Sequence, residues 1–224
     1  MGISDKYTGI GIYTYSEAAA LLRLSPRVIK GLVHGYKYGA RNGRRVLHSS
    51  KAITFDGREY LTFYDLMEVK FISYFLKVGI KRDKIAREYR KAAEEQNKPF
   101  PFATRFTTDG KCIFGDNKAI LLDMEDEQYA MRGCFDQILY EGVDIGSDNR
   151  INSWRPFPNN TPEVILNPRI KFGRPILIEY GVPTRTLFDA CNAEKGNIRK
   201  VSEWYGVPEN LIGQAVEFES RIRV

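Results

Sequence analysis

The strongest constraint on this chain is a break at Ser25-Pro26 that separates two short apolar stretches, each with helical spacing. Thr14-Tyr15-Ser16-Glu17 fits a capping box, in which the threonine hydroxyl accepts from a helix N–H and the glutamate reaches back. Ala18, Ala19, Leu21 and Leu22 give a short helix behind it. Ser25 then offers an acceptor to orphan N–H groups, and Pro26 suits a first helical position, where no donor is needed. Val28, Ile29, Leu32 and Val33 repeat at helical spacing after that restart. Two helices only two or three residues apart predict a helix-turn-helix.

A recognition helix anchors by one face and presents polar side chains on the other, because the major groove admits one helix and exposes base-edge donors and acceptors there. Val28, Ile29 and Val33 are the expected anchors, and Ser25, Arg27 and Lys30 the expected outward residues. Between Gly35 and Leu61, Asn42-Gly43 and Asp56-Gly57 read as tight turns joining short extended stretches, a candidate wing. The wing supplies Lys37, Arg41, Arg44 and Arg45 with Tyr36 and Tyr38 among them, a mixture of cations and hydroxyls suited to phosphates. Charge is divided accordingly. Residues 1–100 hold 19 Lys and Arg against 10 Asp and Glu, a balance of +9, whereas the remaining 124 residues hold 15 against 18, a balance of −3. A basic half joined to a mildly acidic half fits a polyanion-binding module fused to a protein-binding one.

Thr62-Phe63-Tyr64-Asp65 is a second capping signal. It opens a helix whose Phe63, Leu66, Met67, Val69, Phe71, Ile72, Phe75 and Leu76 cover more than one face, so the helix should be buried on two sides and end at Gly79. A surface helix is expected over residues 82–96, with Ile85, Tyr89 and Ala92 facing in. The two prolines of residues 97–101 mark a linker. Beyond it, a hairpin is expected around Thr107 to Gly110, a strand over residues 119–122 and a helix over 127–141. Pro156, Pro158 and Pro162 mark a loop before the strand Val164-Ile165-Leu166, and Gly173-Arg174-Pro175 reads as a turn before another apolar strand. Thr184 should cap one helix, Asn197 a second, and Gly206-Val207-Pro208 should turn into a third carrying Leu211, Ile212, Ala215, Val216 and Phe218. This last helix pair is itself helix-turn-helix-like. Glu203, Glu209, Glu217 and Glu219 would repel phosphate there, which favours protein contact or dimerisation.

Composition narrows the function classes. With 43% hydrophobic and 12% aromatic residues the chain has material for a packed core, unlike a disordered chain. No apolar run approaches the ~20 residues of a membrane span, and the first residues lack the layout of a secretory signal, so a cytoplasmic protein is expected. Cys112, Cys134 and Cys191 are an odd number at long spacings, read as small buried hydrophobes. His34 and His48 are the only histidines, and no H-E-x-x-H, G-x-S-x-G or P-loop string occurs, so no catalytic residues are assigned and no enzyme is expected. The acidic cluster Asp123, Glu125, Asp126 and Glu127 and the pair Asp144 and Asp148 lack the alternating calcium-loop pattern. Neither a metal nor a cofactor is assigned.

The segments YTYSEAAALLRLSPRVIKGLVHGY and LTFYDLMEVKFISYFLKVGIKRDKIAREYRKA resemble the winged helix-turn-helix of mercury-resistance-type (MerR-like) regulators, in the version found in bacterial antitoxins of toxin-antitoxin operons. PRIKFGRPILIEYGVPTRTLFDAC and VSEWYGVPENLIGQAVEFE resemble the C-terminal antitoxin domain of the VapB-like type, through Pro168, Gly173-Arg174-Pro175, Gly181, Pro183-Thr184 and Tyr205. Arg23 stands at the turn where such regulators often carry glycine, and an arginine at positive φ is strained. The resemblance implies an autoregulating antitoxin that binds double-stranded DNA and neutralises a cognate toxin, of the PIN-domain ribonuclease type.

The expected fold is α+β and mainly helical: a winged helix-turn-helix over residues 1–98, a β-containing connector over 99–163, and a helical domain with a short hairpin over 164–224. A homodimer is expected, since one recognition helix reads only a few base pairs. Trp154, Phe157, Phe172, Ile176, Tyr180 and Trp204 are the candidate partner anchors, because aromatic and large apolar side chains dominate interface energy. The alternatives are an effector-sensing MerR-like transcription regulator without a toxin, and an interaction adaptor whose helix-turn-helix binds only protein.

Overall fold

A computed structural model describes residues 9–34, 53–77, 79, 82, 85, 141–147 and 150–223. The basic stretch of the wing from Tyr36 to Arg45, the linker at 97–101 and the elements expected between 105 and 122 lie outside these residues. So do Cys112, Cys134 and His48. Of the helices expected over 82–96 and 127–141, only Arg82, Ile85 and Glu141 are described; Ile85 is buried and Arg82 exposed, and Glu141 sits in a turn.

The described architecture is α+β, with six α-helices and two small antiparallel sheets. Helices α1 (Tyr15–Leu22) and α2 (Pro26–His34) are followed by the hairpin β1 (Ile53–Phe55) and β2 (Arg58–Tyr60) and by α3 (Phe63–Lys77). Thr14 and Glu17 form the expected reciprocal cap, with the Thr14 N–H donating to Glu17 Oε2 at 2.8 Å and the Glu17 N–H donating to Thr14 Oγ1 at 3.1 Å. Thr62 and Asp65 repeat that exchange at the start of α3, a shorter carboxylate serving the same two donors. Asp56 (φ 49°) and Gly57 (φ 68°) both lie in the left-handed region, as a two-residue hairpin turn of type I′ requires. Tyr13 pairs with Leu61 just outside the hairpin, through N–H to O bonds of 2.9 and 2.8 Å in the two directions, so the segment leading into α1 is tied to the end of the β1–β2 hairpin.

α1 ends on Arg23, whose φ of 54° and ψ of 43° are left-handed. Leu24 N–H reaches Ala19 O at 3.0 Å and Arg23 N–H reaches Ala20 O at 3.4 Å, which closes the helix as a Schellman turn. A non-glycine residue there costs about 1–2 kcal/mol. The Arg23 guanidinium lies 4.7 Å from the centre of the Phe157 ring, a contact worth roughly 0.5–1 kcal/mol, so arginine offsets part of the strain that glycine would avoid.

α3 is buried along two sides through Phe63, Leu66, Met67, Val69, Phe71, Ile72 and Phe75, as its sequence implies. After it, β3 (Val143–Ile145), β4 (Ile151–Trp154), β5 (Val164–Leu166) and β6 (Pro175–Leu177) form one antiparallel meander in that order. Trp154 pairs with Leu166 across the proline-marked loop, so the sheet runs continuously past residue 163, where the connector was expected to end. The C-terminal hairpin is thus half of a four-stranded sheet. Helices α4 (Thr184–Ala193), α5 (Ile198–Tyr205) and α6 (Glu209–Ile222) pack together, with Leu187, Val201, Ile212, Ala215 and Phe218 buried.

Two expectations about these helices change. Asn197 caps α5, accepting from the Lys200 N–H at 3.1 Å, but Thr184 does not cap α4. Pro183 precedes the helix without a side-chain cap, and the Thr184 hydroxyl turns inward to donate to Glu219 Oε1 at 2.6 Å. Glu219 is consequently a buried residue, 4% exposed, and does not belong to the acidic surface of α6.

Burial pushes the Glu219 carboxyl above the usual carboxylate range, against the opposing pull of the Thr184 hydrogen bond and Arg185. A carboxyl raised in the folded state stabilises the fold fully below its unfolded value of about 4.3, and that contribution is lost as pH rises through the folded value. Glu219→Gln keeps an acceptor for Thr184 and cannot ionise. It is expected to melt higher than the parent at pH ~8, with the difference shrinking toward pH ~4. Thermal denaturation across that range checks this; a variant less stable at every pH would show that the carboxylate charge is compensated.

Candidate nucleic-acid interface

The helix-turn-helix pattern places α2 with Ile29, Leu32 and Val33 buried, while Ser25, Arg27 and Lys30 are exposed as expected. Val28 departs from the expectation. It is 37% exposed, because it precedes Ile29 by about 100° of helical rotation and falls at the edge of the outer face. Arg27 and Lys30, three residues apart, share that face, and Val28 flanks it on the side away from Lys30. The Val28 N–H bonds to Ser25 Oγ at 3.3 Å and to Ser25 O at 3.0 Å, so the serine fixes the first turn from outside the helix.

Tyr15, His34 and Glu59 tie the two helices to the β1–β2 hairpin, and the sequence assigns none of the three to the interface. The Tyr15 hydroxyl lies 2.8 Å from His34 Nε2 and 2.9 Å from Glu59 Oε2, and His34 Nε2 lies 2.8 Å from the same carboxylate oxygen. α1, the C-terminal end of α2 and β2 thus converge on one polar node. Burial raises the Tyr15 phenol well above its ordinary value, helped by Glu59, so the hydroxyl stays a neutral donor. Lys30 Nζ sits 5.4 Å from the centre of the Tyr15 ring, which holds one outward cation beside the node. At the hairpin, Arg58 and Phe55 are exposed, Phe55 at 58%, and Arg58 adds a cation that the sequence reading had not selected. No short-range spacing signals these residues, since the node joins positions 19 and 44 apart.

The six candidate partner anchors separate into three groups. Trp154, 3% exposed, and Ile176, 0% exposed, belong to the core: Trp154 sits on β4 between β3 and β5, and Ile176 sits on the edge strand β6, paired with Ile165 on one side and bridged to Pro183 on the other. Phe157 is half-buried, its ring 5.5 Å from Phe218 and overlaid by Arg23. Phe172, Tyr180 and Trp204 are 53%, 37% and 57% exposed, respectively. Ile170, Ile178 and Tyr205 are exposed beside them in sequence, so residues 170–180 and the end of α5 carry the large apolar surface of the C-terminal part. Lys200 Nζ lies 4.9 Å from the centre of the Trp204 ring.

Among the described residues no helix is long and apolar enough to cross a membrane, and no three metal-ligating side chains converge. No protein-family model and no curated protein sequence matches the chain. The fold is similar to that in the X-ray crystal structure of Rv2018 from Mycobacterium tuberculosis, with 16% sequence identity and a TM-score of 0.62 over 94% of this chain and 99% of that one. At that identity the likeness shows a shared fold.

Proposed function

We propose that this chain is a sequence-specific double-stranded DNA-binding antitoxin that represses its own operon and neutralises a cognate toxin, a PIN-domain-type ribonuclease. The observation that carries the DNA-binding part is the outer face of α2, where Arg27 and Lys30 are exposed together with Ser25 before them and Val28 at the edge, beside the β1–β2 hairpin held through Tyr15, His34 and Glu59. Arg27 suits bidentate contact with guanine, Val28 an apolar contact with a thymine methyl, and the wing cations contact with phosphate. A homodimer on two half-sites supplies the remaining specificity. The exposed Phe172, Tyr180 and Trp204, on the acidic half of the chain, support a toxin-binding role, since an acidic partner suits the basic surface a ribonuclease needs for RNA.

Titration of operator DNA at several salt concentrations is expected to give a log–log slope of about −0.9 per neutralised phosphate. Arg27→Ala should cost ~1–3 kcal/mol on the operator and little on unrelated DNA. Affinity independent of salt would end the DNA-binding reading. In cells that express the neighbouring gene's product, the full chain should restore growth, and a variant with Phe172, Tyr180 and Trp204 all changed to alanine should not, while still binding operator. If no neighbouring product arrests growth, the antitoxin part fails and a DNA-binding regulator remains.

A further inference from the structure

Between α1 and the C-terminal helices lies a cleft of about 540 Å³, within the range of small-molecule sites. Its apolar wall includes Ile12, Leu21, Pro183 and Ile222. Two carboxylates and three guanidinium groups also line it, and their partners differ. Glu17 is engaged by Thr14 in the α1 cap, and Glu219 accepts the Thr184 hydroxyl. Arg185 pairs with Asp189 at 2.7 Å, and Arg223 stacks 3.9 Å from the Phe188 ring centre with Asp189 at 3.7 Å and Glu219 at 3.9 Å. Arg174 makes no ion pair among the described residues. The α4 N-terminus, without a side-chain cap or an acidic residue in its first turn, adds a positive dipole end on the same side.

We propose that this cleft binds a small organic acid with an apolar body, its carboxylate held by Arg174 and its body laid along Ile12, Leu21 and Ile222. Glu17 and Glu219 already accept from Thr14 and Thr184, and Arg185 and Arg223 already have carboxylate partners, so Arg174 is the lining charge left to a ligand; an amine would meet its guanidinium, and an uncharged apolar molecule would leave it unused. Because one wall is the first helix of the helix-turn-helix and the other is α4 and α6, the ligand touches both units and acts as an effector. That consequence rests on the DNA-binding reading; the binding itself does not.

The test uses the full chain without DNA and calorimetric titration with phenylbutyrate, with phenylbutylamine and phenylbutanol as the charge-reversed and neutral probes. The carboxylate is expected to bind saturably and at least about tenfold more tightly than either control. Arg174→Ala should lose roughly tenfold of that affinity. Ala20→Phe, which puts a phenyl ring into the cleft from α1 and leaves the Arg174 side chain in place, should abolish binding while the far-UV circular dichroism stays unchanged. No saturable binding of the carboxylate up to about 10 mM, equal binding of the amine, or indifference to Arg174→Ala overturns the site. A second titration, of operator DNA with the cleft saturated by phenylbutyrate, reads the coupling. A shift in operator affinity of about fivefold or more is expected, and an unchanged affinity overturns the effector role. A chain that binds phenylbutyrate but no DNA at any salt would instead refute the DNA-binding reading and leave the site established.

Discussion

Phe218→Ala is expected to destabilise the protein by about 3–5 kcal/mol, the usual cost of emptying a buried phenylalanine position that cannot collapse. Phe218 is 0% exposed in the middle of α6, and its ring meets Phe157 at 5.5 Å. Phe157 in turn lies under the Arg23 guanidinium of the left-handed turn between α1 and α2. A cavity at Phe218 therefore loosens the support of that turn as well as the packing of α6 on the C-terminal sheet. Urea denaturation of parent and variant, with the slope compared as well as the midpoint, measures the effect. Trp204→Ala is the control: an indole 57% exposed should change stability by no more than about 0.5 kcal/mol. A Phe218 cost below ~1 kcal/mol would mean that α6 is not packed as described.

The same contrast explains which features the sequence makes legible. A residue's capping partner is three positions away, so Thr14 with Glu17, Thr62 with Asp65 and Asn197 with the Lys200 N–H can be read along the chain. Asp56-Gly57 is equally local, because the turn type depends on two adjacent φ angles. Thr184 misleads for the opposite reason. Its hydroxyl had two possible employers, a helix N–H nearby and a carboxylate 35 positions away, and only the packing of α6 on α4 decides for Glu219. Strands β3 and β4 are three and four residues long, too short for alternation to stand out, and their pairing depends on neighbours that the sequence does not mark. The polar node of Tyr15, His34 and Glu59 joins three elements with no common spacing, so it becomes visible only once the β1–β2 hairpin packs against both helices. Val28 marks a finer limit. Apolar periodicity assigns it to the anchor face, yet α2 needs only Ile29, Leu32 and Val33 inside, and the fourth apolar residue is left on the surface.

Gly173→Ala should cost about 3 kcal/mol, far more than a methyl group usually costs, and its origin can be separated by a double-mutant cycle. Gly173 has a φ of 78° and follows Lys171 and Phe172, both also at positive φ, so the chain reverses sharply before β6. Alanine at such a φ costs about 1 kcal/mol from the backbone alone. The larger part is steric. A β-carbon at Gly173 would overlap the Tyr13 hydroxyl and lie 3.1 Å from Gly11 Cα. That hydroxyl donates to Gly173 O at 2.7 Å, and burial pushes the Tyr13 phenol far above its ordinary value, so it remains a neutral donor at any pH the protein tolerates. Together with the Ile12 N–H, which reaches Phe172 O at 3.1 Å, this contact seats the strand before α1 against the turn before β6. Tyr13→Phe alone removes one buried hydrogen bond and should cost about 1–2 kcal/mol. In the double variant the alanine methyl no longer meets an oxygen, and the hydrogen bond it would have broken is already gone. The combined loss, measured by urea denaturation, should therefore fall short of the sum of the two single losses by about 1 kcal/mol or more. Strict additivity would place the cost of Gly173→Ala in backbone strain, the Gly11 contact and the residue 13 ring carbon 3.0 Å away that Tyr13→Phe keeps, and would remove the Tyr13 hydroxyl as the link between the helix-turn-helix and the C-terminal sheet.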